Sequence, residues 1–322
     1  MTVPGSVEVF AGSAGVGFAE AMCARLGLRL GRSRLQRFAN DCLQVQLLEN
    51  CRERDVYLVQ PLVAPVQENL MELLLMVDAA KGASAARVTA VMPHFAYARS
   101  DKKDAPRISI GGRLVADLLT TAGVDRVLTM SLHAPQVHAF FRVPTDQLHA
   151  LSELAAHFRT GDLSTTTVVS PDLGNAKNAT AFARMLDTPV AAGAKQRLDG
   201  DRVEITSLIG EVAGRDVIVL DDEIANGSTV LAVIDLLDRG GAKGIRVACT
   251  HGLFANGALE RILATGRVAE VVTTDTVPQS LADDRLTVIS VAPAFAEAVR
   301  RIHSGESVSS LFHEPLERRD HA

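Results

Sequence analysis

The stretch VIVLDDEIANGSTV, residues 217–230, places two adjacent carboxylates, Asp221 and Asp222, behind the apolar run VIVL and follows them with a loop of small residues. The run is continuous and not alternating, which suits a parallel strand covered on both faces. In an open parallel sheet, ligands bind beyond the carboxyl ends of the strands, and Asp221 and Asp222 are expected there. The loop Ala225–Asn226–Gly227–Ser228–Thr229 then delivers the chain into a helix. Small residues let successive backbone N–H groups converge on an anion, and the helix N-terminus adds partial positive charge. Ser228 and Thr229 can donate hydroxyls or cap the helix. A phosphate suits such a loop. The acids beside it suit sugar hydroxyls, or a Mg2+ shared with phosphate oxygens. Taken alone, the acid pair reads more simply as a cap at a solvated strand end. The small-residue loop adds weight to a ribose phosphate without excluding the cap.

Working outward, short Val-rich runs recur at 7–12, 56–60, 87–95, 126–133, 166–172, 246–254, 270–275 and 286–293. Between them, residues 69–83 and 229–244 carry apolar side chains at helical spacing, with Gly82 and Gly240–Gly241 where the helices stop. Strand and helix in alternation imply an α/β fold with mostly parallel sheets. The chain has 322 residues, 47% of them hydrophobic, enough for two domains with substantial cores. The layout repeats, strand end then helix, which divides the chain into residues 1–149 and 150–322.

The composition excludes several classes of function. There are 33 basic and 38 acidic residues, a formal net charge of −5, and no basic cluster of the kind nucleic acid requires. With no Trp and 4% aromatic residues, a base-stacking platform is not expected. No apolar run approaches the roughly 18 residues of a membrane span, and no signal peptide is recognisable. Cys23, Cys42, Cys51 and Cys249 lack metal-like spacing, which fits a reduced, cytoplasmic protein.

Other strand ends carry chemistry. YARSDKKDAPR, 97–107, holds Arg99, Lys102, Lys103 and Arg107 among acids and reads equally as a polyphosphate clamp or a solvated loop. SLHAPQ, 131–136, ends a strand with His133, a metal or phosphate contact or a structural histidine. VSPDLGNAK, 169–177, offers Asp172 before Gly174. AKQRLDGDR, 194–202, carries Lys195 and Arg197 in a polar stretch, either a mobile loop closing over a transferring phosphoryl group or an exposed hairpin. There is no Walker A pattern, and no GxGxxG follows the first strand.

Taken together, RFANDCLQVQL, APVQENLMELLLMVDA, YARSDKKD, LTMSLHAPQVHAFF, VVSPDLGNAK, KQR, VIVLDDEIANGST and RRIHSGESVSSLF resemble the ribose-phosphate pyrophosphokinase family, in its order and spacing over nearly the whole chain. The resemblance implies two tandem type I phosphoribosyltransferase-like domains, each a mostly parallel sheet flanked by helices. It implies transfer of the β,γ-diphosphoryl group of ATP to the 1-hydroxyl of ribose 5-phosphate, with Mg2+. By position, Phe38 and Asn40 would hold adenine. Arg99, with Ser100 and Asp101 beside it, would grip the ATP phosphates. His133 and Asp172 would serve the metal and triphosphate. Asp221 and Asp222 would bind ribose hydroxyls, and Ala225, Asn226, Gly227, Ser228 and Thr229 would seat the 5-phosphate. Lys195, Arg197 and His133 would act in catalysis. The implied assembly is a dimer-based homo-oligomer, up to a hexamer.

Several positions depart from the family's pattern. Cys42 stands where an acid is usual in the adenine loop, Ser100 where Gln is common, Ser131 where Asp precedes the LHAP motif, and Asn178 where a basic residue follows AK. Ala225 and Asn226 replace Asp and Thr, and Ser228 replaces Gly, in the loop after the acid pair; Glu223 is an additional acid. These departures leave a second expectation open: a catalytically weak paralog that assembles with a true synthetase, or a diphosphotransferase with altered sugar or nucleotide preference.

Overall fold

The computed structural model describes residues 5–197 and 203–311. The chain divides into two compact units. The first comprises residues 1–149 together with 276–278 and 290–313; the second holds 150–275, 279–289 and 314–322. A single cut at 149/150 does not express this division, because the helix Ala292–Ser304 belongs to the first unit.

In the first unit, β1 (Gly5–Ala11), β4 (Arg54–Val59), β5 (Arg87–Met92), β6 (Arg126–Met130) and β7 (Thr145–Leu148) form a parallel sheet in that spatial order. The crossovers include α1 (Val16–Leu26), α2 (Val66–Gly82) and α3 (Gly111–Ala122). Because strand side chains alternate, β4 serves both faces. Val56 and Leu58 join the core formed with Leu73, Met76 and Val77 of α2 and Val115 and Leu119 of α3. Tyr57 points the other way, its hydroxyl 3.5 Å from the Val299 carbonyl of α8 (Ala292–Ser304). On that face Phe18 of α1 packs edge-on against Phe295, centroids 5.1 Å apart. Fully burying each such side chain stabilises the fold by about 1.5–3 kcal/mol. A separate hairpin, β2 (Ser33–Arg37) and β3 (Leu43–Leu47), lies outside the main sheet.

The second unit opens with α4 (Leu151–Phe158), followed by β8 (Thr166–Ser170), α5 (Ala176–Leu186), β9 (Val190–Arg197) and β10 (Val203–Ile209). It continues with β11 (Asp216–Ile224), α6 (Ser228–Arg239), β12 (Gly244–Gly252), α7 (Ala258–Ala264), β13 (Val268–Thr274) and β14 (Leu286–Ile289). The sheet order is β10-β9-β8-β11-β12-β13-β14, parallel except for the antiparallel β9–β10 edge. Val217 and Val219 of β11 pack with Val230, Val233, Ile234 and Leu237 of α6. α4 and α5 meet through Phe158 and Phe182, edge to face at 6.1 Å. Both units are therefore doubly covered sheets, the class that the Val-rich runs predict. Among the described residues, no helix is long and apolar enough to cross a membrane.

Candidate active site

In the second unit the decisive geometry is a mismatch of strand lengths. β11 pairs with β8 only as far as Val219↔Val169, whereas on its other side it pairs with β12 through Asp221↔Cys249 and Glu223↔His251 to Ile224↔Gly252. The acids thus lie within the strand, not beyond its end as the sequence suggests. They form an overhang that is unpaired on the β8 side. Cys249, fully buried on β12 opposite Asp221, donates its thiol to the Thr273 hydroxyl, and burial pushes its pKa up to about 12.

Asp221 keeps acid company. Burial raises its pKa well above the ordinary aspartate range, and the neighbouring Asp222 charge, a hydrogen bond with the Asp222 carboxyl and the charge of Asp172 raise it further. Its Oδ1 still accepts the Asp222 N–H at 2.9 Å. Asp172 sits in the turn from β8 to α5, where its carbonyl accepts the Ser170 hydroxyl at 2.6 Å and its Oδ1 accepts the Asn175 N–H at 3.1 Å. The structure therefore brings Asp172, Asp221 and Asp222 together. Among the described residues, no three or more His, Cys, Asp or Glu side chains are arranged to hold a metal by themselves.

The loop after the acids is held from one side. The Ile224 carbonyl accepts the N–H groups of Leu253 and Phe254 at 3.0 Å, and the Ala225 carbonyl that of Ala255 at 2.9 Å. The Asn226 carbonyl accepts the Arg261 guanidinium at 2.5 Å. With successive carbonyls drawn toward residues 253–261, the following amides are left to other partners. Among the described residues, the N–H groups of Gly227, Thr229 and Val230 donate to no protein acceptor. Gly227 adopts φ 72°, and a Cβ there would also lie 3.2 Å from that of Ala258, so glycine is required. Asn226 Oδ1 accepts both the N–H and the hydroxyl of Ser228, at 3.1 and 2.9 Å. Ser228 is thus engaged locally, not offered as a hydroxyl donor as its position suggests. What remains is a short amide cradle at the start of α6, suited to an anion.

The first unit carries the remaining sequence-predicted residues. Arg99 is exposed at the end of a 3₁₀ turn, Ala96–Arg99, after β5. Ser100 serves the fold: its hydroxyl accepts the Gly111 N–H at 2.8 Å and its carbonyl the Gly112 N–H at 3.0 Å, fixing the start of α3. Asp101 accepts the side-chain amide of Gln136, which joins the loops after β5 and β6. His133 is exposed on the β6 loop, two residues after Ser131, which holds a left-handed φ of 45°. Phe38 and Asn40 lie in the β2–β3 turn, where Asn40 Oδ1 accepts the Cys42 N–H at 3.2 Å. The Phe38 side chain is 42% exposed, a ring face available for stacking. This hairpin could have been found in the sequence from the alternation of Leu43, Val45 and Leu47 with Gln44 and Gln46.

Lys195 and Arg197 lie in β9, opposite Ile205 and Val203 of β10. Their backbone therefore belongs to an antiparallel arm, the hairpin alternative and not an irregular loop. Their side chains, and residues 198–202, lie outside the described residues.

Residues 7–123 match the family model for the N-terminal domain of ribose phosphate pyrophosphokinase, and residues 200–313 that for the phosphoribosyl synthetase-associated domain. A Streptomyces coelicolor protein provisionally named ribose-phosphate pyrophosphokinase is 68% identical over 308 residues, covering 95% of this chain and 97% of its own. The Deinococcus radiodurans ribose-phosphate pyrophosphokinase is 49% identical over 311 residues, 94% and 97% of the two chains. The crystal structure of phosphoribosylpyrophosphate synthetase from Mycobacterium smegmatis superposes with a TM-score of 0.87 at 35% identity, covering 93% of this chain and 99% of that one.

Proposed function

This chain belongs to the ribose-phosphate pyrophosphokinase family, and from that premise we propose that it transfers the diphosphoryl group of ATP to the 1-hydroxyl of ribose 5-phosphate, giving phosphoribosyl pyrophosphate and AMP. The bond from ribose O1 to the β-phosphorus forms as the bond from that phosphorus to the oxygen bridging it to the α-phosphorus breaks. AMP leaves, and the 1-hydroxyl proton is released. The observation that carries this reading is the acid overhang beside an amide cradle. Asp221 and Asp222 accept hydrogen bonds from ribose hydroxyls. The N–H groups of Gly227, Thr229 and Val230 take the 5-phosphate. Arg99 grips the ATP phosphates, and Phe38 and Asn40 take the base. Lys195 and Arg197 stabilise charge on the transferring group, since phosphoryl transfer depends mainly on positioning and electrostatics.

Mg2+ fits the acid cluster. Asp172, Asp221 and Asp222 lie close together, and Mg2+ is usually held by one or two carboxylates completed by phosphate oxygens and water. Asp172 would hold it, and it would supply neutralisation of the phosphate charge. A homo-oligomer built on dimers is supported by the apolar face of α3, where Leu114 and Leu118 are 55% and 40% exposed. A cytoplasmic setting is supported by four free cysteines, three of them buried.

Purified protein with MgCl2, ATP and ribose 5-phosphate should release AMP, and Lys195→Ala should cut that rate by about a hundredfold or more while leaving the melting temperature nearly unchanged. A Lys195→Ala rate equal to the parent's removes the arm from the mechanism. Ala225, standing where the family has an acid, favours a second reading, a weakly active paralog that assembles with a true synthetase. Absence of AMP with every metal, nucleotide and pentose phosphate tried would select it.

A further inference from the structure

The overhang of β11 creates a problem at Leu220. β8 pairs with β11 only to Val219, so the Leu220 carbonyl is left without a strand partner on that side. A side chain fills the place: Asn175 Nδ2 donates to the Leu220 carbonyl at 2.9 Å. The carbonyl of the same side chain accepts Asn178 Nδ2, also at 2.9 Å. The backbone N–H of Asn175 meanwhile donates to Asp172 Oδ1 at 3.1 Å. One residue thus touches Asp172 directly and holds the peptide immediately before Asp221. The primary amide suits this position, since one end donates and the other accepts.

We propose that Asn175, braced by Asn178, is a positioning residue that sets the separation of Asp172 from the Asp221–Asp222 pair and thereby tunes binding of ribose 5-phosphate and Mg2+. This rests on the functional reading above. It also gives Asn178 a role: an amide that donates to Asn175 where the family's pattern has a basic side chain. The bridge does not touch the reacting atoms. Its loss misplaces the carboxylates in the free protein and in the complex alike, so it acts on affinity more than on turnover.

The test is calorimetric titration of ribose 5-phosphate in MgCl2, with AMP release measured in parallel. Asn175→Ala is expected to raise the dissociation constant and the half-saturating Mg2+ concentration about five- to tenfold, with kcat changed by about twofold at most. Asn178→Ala should raise both about two- to threefold. Asn178→Gln, which keeps a donor, should recover most of that loss; Asn178→Asp, which lacks one, should not. Because Asn178 acts through Asn175, the double variant should resemble Asn175→Ala alone. Unchanged binding in Asn175→Ala, or additive losses in the double variant, overturns the proposal. If Asn175→Ala does not fold, the Asn178 series still decides: equal binding by Ala, Gln and Asp variants overturns it. Should the parent release no AMP, the functional reading fails, while the titrations still judge the bridge.

Discussion

Two aspartates, one in each unit, meet opposite company. Asp55 on β4 is fully buried and surrounded by donors: Arg87 Nε at 2.8 Å with a second guanidinium contact, the Tyr57 hydroxyl at 3.0 Å and His303 Nδ1 at 2.9 Å. Asp221 on β11 is surrounded by other acids. The first carboxylate has its countercharge built in and fastens α8 to its sheet. Among the described residues the second accepts the Asp222 N–H but is neighboured by carboxylates and not by a guanidinium, and its protonation is favoured by burial and by Asp222. A fold tolerates the first arrangement for stability; the second makes physical sense where a ligand brings hydroxyls and positive charge.

The largest expected effect comes from breaking the satisfied site. Asp55→Asn leaves the Arg87 guanidinium without its carboxylate, and loss of one partner of a buried pair costs about 3–5 kcal/mol. Thermal unfolding should show a drop on the order of 10 °C. A drop of under a degree or two would mean that water screens this network and that the contrast with Asp221 is overdrawn.

Asp221→Asn should behave in the opposite sense. The raised pKa means that ionising Asp221 opposes folding: the unliganded protein loses stability as pH rises from the ordinary aspartate range, near 3.9, through the raised value. The amide keeps an acceptor for the Asp222 N–H and removes that slope. At neutral pH the ligand-free variant should melt at the parent's temperature or a few degrees above it, while AMP release falls about a hundredfold. A variant less stable than the parent at neutral pH would show that the carboxylate is compensated as Asp55 is.

How much of this contrast is legible in the sequence follows from range. Continuous Val-rich runs announce doubly covered parallel strands, and an acid pair followed by small residues announces a strand end with an anion loop; both signals lie within a dozen residues. The hairpin strands β2 and β3 and the arm strands β9 and β10 interleave polar residues and give no such run. The Asn175 bridge depends on the β8–β11 pairing ending at Val169↔Val219, one residue short of Leu220, a register property that no local pattern carries. The Asp55–His303 pair joins residues 248 apart, and the return of α8 to the first unit is equally invisible to strand–helix alternation. Gly227 is the intermediate case: its smallness is visible, whereas its left-handed φ and its contact with Ala258 appear only in the folded chain.

Adding charge sharpens the comparison at smaller scale. Ala225→Asp restores an acid in the loop following the overhang. In the absence of ligand it should lower the melting temperature by about a degree or two through repulsion with its acidic neighbours. If sugar binding is what Ala225 weakens, the apparent affinity for ribose 5-phosphate should tighten. An unchanged affinity removes Ala225 as the cause of any weakness in turnover and turns attention to Cys42 and Ser131.

The smallest effect belongs to carboxylates that are paired but exposed. On α8, Glu297 accepts Arg300 and Arg301, and just past its end Glu306 accepts Arg300 and the Ser304 hydroxyl; these hydrogen bonds draw both carboxyls down to about 2. A lowered folded-state pKa stabilises above the ordinary glutamate value, near 4.3, and the contribution is lost as pH falls through that value toward about 2. Water and salt screen such surface pairs heavily. Glu297→Gln should therefore shift the melting temperature by about a degree or less at neutral pH, with the difference vanishing near pH 2 and in high salt. A shift as large as that of Asp55→Asn would mean that burial is not what separates a consequential carboxylate from an incidental one, and the contrast between Asp55 and Asp221 would then have to rest on geometry alone.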